Sequence, residues 1–84
     1  MWFSVDRIED KHTVVLVGDD DTVCHLSVEE YTVYTGIQPK EAQMLRCDTQ
    51  NGRIVSAHYD PDETERRQIA ARERLHRLFK QKHS

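Results

Sequence analysis

From Trp2 to Tyr59 the apolar and polar positions alternate in short runs, and after Asp60-Pro61 they take on helical spacing. Residues Trp2 to Ile8, Thr13 to Val17, Thr22 to Leu26, Ala42 to Cys47 and Arg53 to Tyr59 read as five short strands. The run Thr13-Val14-Val15-Leu16-Val17 is apolar throughout, as expected of a strand covered on both faces. Gly18 to Asp21 and Asn51-Gly52 read as hairpin turns, the second being the favoured type I′ dipeptide. Ser27 to Tyr31 has the form of a helical turn, with Ser27 as N-cap and Glu30 as the acid of a capping box. The stretch through Pro39, broken by Gly36, reads as a long connection.

The final segment opens with helix-start chemistry. Asp60 can cap, Pro61 suits the first helical position, and Asp62 and Glu63 complement the positive end of the helix dipole. At 100° per residue Ala71, Leu75, Leu78 and Phe79 share one side within ~100°, and that side is expected to dock on the sheet. The fold class that follows is α+β: a small curled five-stranded antiparallel sheet or barrel packed by one C-terminal helix. One domain is expected over 1–84, with a β portion at 1–59 and a basic amphipathic helix and tail at 60–84.

A chain of 84 residues leaves a core that supplies no more than ~3–5 kcal/mol, so helix docking is expected to matter for stability and a deep pocket is not expected. Charge divides unevenly: residues 1–61 hold 11 acids and 5 bases, and residues 62–84 hold 4 acids and 7 bases. The chain as a whole is therefore no polyanion binder, although its tail alone could be one. Two cysteines, Cys24 and Cys47, are too few for a disulfide framework. They are expected to be reduced, buried thiols of a cytoplasmic monomer. No membrane association is expected, because no segment reaches the ~20 apolar residues of a span.

Candidate chemistry is sparse. Asp19-Asp20-Asp21 lacks the alternate spacing and later Glu of a calcium loop and reads as a solvated turn. Cys24, His25, Cys47 and His58 contain no zinc-type pair spacing, and Cys24 and His25 point to opposite faces of a strand. Three histidines and several serines could act as base and nucleophile, but neither a nucleophile elbow nor a phosphate loop accompanies them. No catalytic residue, metal or cofactor is therefore assigned. Trp2 and Phe3 read as core or barrel-edge packing. Two surfaces remain as binding candidates: Tyr31 and Tyr34 in the central loop, and an arginine stripe with Arg67, Arg74 and Arg77, extended by Arg66 and Lys80. Acid-first pairs Asp62–Arg66, Glu63–Arg67 and Glu73–Arg77 would neutralise much of that stripe.

Val5-Asp6-Arg7-Ile8-Glu9, together with Asp60-x-x-Glu63-Thr64-x-x-Arg67 opening a charged final helix, resembles the bacterial domain of unknown function 3006 family. The resemblance implies several β segments before a charged helix, and an accessory role beside metallo-hydrolase domains. It implies no activity and no functional residues. The expected function is a non-enzymatic protein-interaction or accessory module, with weak nucleic-acid binding through the arginine-rich helix as the alternative.

Overall fold

The structure is a computed structural model that describes the backbone of residues 1–82 and the side chains through Leu78. Its elements run β1 (Trp2–Glu9), β2 (Thr13–Gly18), β3 (Val23–Ser27), α1 (Val28–Thr35), β4 (Met44–Gln50), β5 (Arg53–Tyr59) and α2 (Pro61–Lys82). All five expected strands are present. They form one antiparallel sheet in the order β3-β2-β1-β4-β5, curled into a half-barrel. A bulge at Asp6 interrupts the β1–β2 register, so Val5 lies opposite Leu16 and Ile8 opposite Val14. Such an extra residue bends the strand and tightens its twist, which curls a small sheet onto itself. A second irregularity between Asp48 and Thr49 does the same for the β4–β5 hairpin.

The concave side holds the core: Phe3, Val5, Val14, Leu16, Leu26, Leu45, Cys47, Ile54 and Ala57, with Tyr31 of α1 among them. Helix α1 packs against β5, β3 and β2, so it spans the opening between the two edge strands of the curled sheet. The helix that closes the open side is thus α1, while the expected C-terminal helix α2 packs on the sheet as well. The start of α1 is the capping box expected from sequence: Ser27 Oγ accepts from Glu30 N at 3.0 Å, and Glu30 Oε1 accepts from Ser27 N at 3.1 Å. It continues past the single turn expected and stops at Gly36, whose φ of 74° is the left-handed conformation that ends a helix. Its two threonines bond backward within it, Thr32 to Val28 O and Thr35 to Tyr31 O.

Helix α2 packs on the opposite, outer side of the sheet, and only through its first turns. Asp60 N donates to Met44 O at 3.0 Å, and Met44 N donates to Thr64 Oγ1 at 2.8 Å. Thr64 is buried, as is Met44 on the face of β4 away from the core. Beyond that point the helix leaves the body. Leu75 and Leu78 are each 57% exposed, which corrects the expectation that this face docks on the sheet. The fourth expected member, Phe79, lies outside the described side chains. The physical reason is length: 22 residues of α-helix extend ~33 Å, whereas the smaller dimensions of the whole molecule are 24 and 21 Å.

Candidate interaction surfaces

The sequence-expected residues fall into three environments. Tyr31, placed on α1 facing the core, has no accessible surface. Its hydroxyl donates to Gln43 Oε1, which also accepts from Lys40 N, while Gln43 Nε2 donates to Gln38 O. Burial raises the phenol well above its ordinary value. Tyr31 is therefore a core residue that ties the 36–43 connection to α1, and the expectation of an exposed Tyr31–Tyr34 patch is corrected. Tyr34 is half-buried, packed against the same core. In sequence the two tyrosines are three apart among polar residues and look alike. Only the helix phase, set by Ser27, buries Tyr31 completely and leaves Tyr34 half-buried.

Arg67 is also committed. Its guanidinium grips Asp19 with two bonds of 3.0 and 3.1 Å and donates through Nε to Glu63 Oε1 at 2.8 Å. The hydrogen bonds from Arg67 hold the Asp19 carboxyl below its usual range, and those to Asp19 and Glu63 raise the guanidinium pKa further. Glu63 also takes Arg66 at 2.7 Å, so the expected Glu63–Arg67 pair forms while Arg66 turns to Glu63 instead of Asp62. The acidic turn after β2 thereby acquires a role that its composition did not indicate: it orients α2. Among the described residues Arg74 and Arg77 have no acidic partner, although Glu73 was expected to pair with Arg77. Both are exposed. Lys80 lies outside the described side chains.

The third environment is the projecting part of α2. Thr64, Ala71, Leu75 and Leu78 follow one side of the helix at spacings of seven, four and three residues. Thr64 is covered by β4, whereas Leu75 and Leu78 meet solvent. Arg72 and Arg74 border this stripe on either side. An apolar stripe with cationic flanks, carried clear of its own sheet, has the form of a helix that inserts into a groove. Between α2 and the sheet lies an open cleft of about 420 Å³ lined by Ser4, Asp6, Glu41, Met44, Arg67, Gln68 and Ala71. Its ionisable groups are Asp6, Glu41 and Arg67, the last already paired with Asp19 and Glu63.

Both cysteines are buried and unpaired with one another. Cys47 is buried in the core, and desolvation pushes its thiol up to about 11. Cys24 is buried on β3, with its thiol 3.9 Å from Gly52 O, while His25 beside it faces solvent. No group of three potential metal ligands converges among the described residues. Phe3 is in the core, and Trp2 sits half-buried with the Arg46 guanidinium 5.3 Å from its ring centre. No described helix is long and apolar enough to cross a membrane. No protein-family model, curated protein or solved structure gives a significant match to the chain.

Proposed function

We propose that the chain is a non-enzymatic protein-interaction module that presents α2 to a partner. The half-barrel and α1 form the support, the Arg67–Asp19–Glu63 clasp aims the helix, and Ala71, Leu75 and Leu78 are the anchors. The observation that carries this reading is the exposure of Leu75 and Leu78 on one side of a helix that stands away from its own core. Isolated exposed apolar residues are ordinary, but a row on a projecting helix is not. Arg72 and Arg74 beside the row favour a partner groove rimmed by carboxylates. An accessory role of this kind is also what the resemblance to the domain of unknown function 3006 family implies.

Pull-down from native lysate with the intact chain and with the Leu75→Ser/Leu78→Ser double variant tests it. Specific partners should be lost with the double variant while its circular dichroism stays that of the parent. Partners retained undiminished would overturn the assignment of this surface.

A second reading, weak nucleic-acid binding, draws on the exposed Arg74 and Arg77, which have no acidic partner among the described residues. It is opposed by the acidic body beside the helix. Titration of labelled single- and double-stranded DNA and RNA at two salt concentrations separates the two readings. Phosphate contacts give affinity that falls steeply with salt, and absence of such binding removes this reading.

A further inference from the structure

Resting on the reading of α2 as a docking helix, we infer that the surface it docks on is the α1 face of a second copy of this chain. Residues 27–39 contain Glu29 and Glu30 and no basic residue. Both carboxylates are exposed in the first turn of α1. Val33, 82% exposed, lies four and three residues after them and so shares their side of the helix. Tyr34 and Ile37, half-buried against the core, extend this apolar edge. The outer side of α1 therefore has an acidic start and an exposed valine bordered by half-buried Tyr34, and the projecting part of α2 is an apolar strip with cationic flanks.

The spacings match as well as the signs. Glu29 precedes Val33 by four residues, and Arg74 precedes Leu78 by four. Laid side by side in the same direction, the helices bring Arg74 opposite Glu29 and Leu78 opposite Val33, one turn apart on each. Pairing α2 in parallel with α2 of another copy is disfavoured, because Arg72 and Arg74, which flank the stripe, would lie beside their own counterparts. The charge of the body, 11 acids against 5 bases, draws the basic helix of another copy toward it. One α1–α2 contact is too small for a stable interface, which needs ~800 Å² per partner. A two-fold arrangement makes the contact twice, so each copy both gives α2 and receives it. The association is accordingly weak, in place of the monomer expected from sequence.

A charge-swap experiment by sedimentation velocity from micromolar to millimolar protein tests this. Glu29 is used because Glu30 serves the capping box. The parent chain should self-associate, and Glu29→Arg and Arg74→Glu should each weaken that by about tenfold or more, a change of ~1.4 kcal/mol. An equimolar mixture of the two variants should regain it, because basic α2 then meets acidic α1 and acidic α2 meets basic α1. A parent chain that is monomeric throughout, or self-association that neither variant changes, overturns the inference. If the parent is monomeric but lysate partners still require Leu75 and Leu78, the docking role of α2 survives and only the second copy is rejected. Self-association that persists in Leu75→Ser/Leu78→Ser rejects both.

Discussion

At the residue scale, Tyr31 carries the largest single consequence. Its ring fills the space between the edge strands, and its hydroxyl holds Gln43, which in turn receives Lys40 N and binds Gln38 O. Tyr31→Phe keeps the packing and leaves Gln43 one donor short, so a loss of ~1–2 kcal/mol is expected in urea denaturation. Tyr31→Ala also opens a cavity and should cost ~3–5 kcal/mol. Cys47 gives a test in pH. Its folded thiol is pushed up to about 11 by burial, above the ~8.5 of an unfolded thiol. The sign follows from linkage: the folded state is favoured below ~8.5, and its stability falls as pH rises from there through the folded value. Native Cys47 should accordingly resist alkylation at pH 8 until the chain is unfolded, as followed by mass spectrometry. The β1–β2 hairpin offers a stabilising change. Asp10 and Lys11 have φ of 51° and 64°, a conformation side chains disfavour by ~1–2 kcal/mol. Lys11→Gly should raise the denaturation midpoint. The Asn51-Gly52 turn was legible from its dipeptide, but nothing in Glu9-Asp10-Lys11-His12 revealed two left-handed residues.

At the element scale, the parts with local chemistry were readable and those settled by distant contacts were not. The strands follow from alternation, the α1 start from Ser27 and Glu30, and the α2 start from Asp60-Pro61. The length of α1 was hidden by its β-branched and polar residues, whose periodicity is weak. For α2, periodicity identifies a side that seeks cover. Whether that cover belongs to the same chain depends on where the sheet ends, and no local signal reports that. The hydroxyl of Thr64 explains why the helix is fixed at its base: it donates to Asp60 O at 2.8 Å and accepts from Met44 N. Thr64→Val keeps the shape and leaves buried Met44 N without a partner, so ~1–3 kcal/mol should be lost. Leu75→Ser/Leu78→Ser should leave stability within ~0.5 kcal/mol of the parent, because surface changes away from caps and core do little. The contrast between these two variants in one denaturation series separates the anchored base of α2 from its projecting end.

At the scale of the whole molecule, the acidic body and basic helix are held at a set angle by Arg67 and Asp19. Lowering the pH should loosen this clasp. The folded Asp19 pKa lies below the ordinary carboxyl value, so its stabilisation is present above ~4 and is lost as pH falls through the folded value. With both groups substantially exposed, the effect on stability is ~0.2–1 kcal/mol. The shape is distinctive too: the radius of gyration is 14.7 Å, against about 12 Å for a compact domain of this length. That excess comes from the part of α2 beyond Ala71. Thiol accessibility at the stripe itself tests the account most directly, with the two buried native cysteines as internal references. In dilute solution, Leu75→Cys should react with a maleimide at nearly the rate of the unfolded chain, while Cys24 and Cys47 react only on unfolding. Protection of the new thiol to the level of Cys24 and Cys47 in dilute protein would mean that α2 folds back onto its own sheet, and would contradict the account.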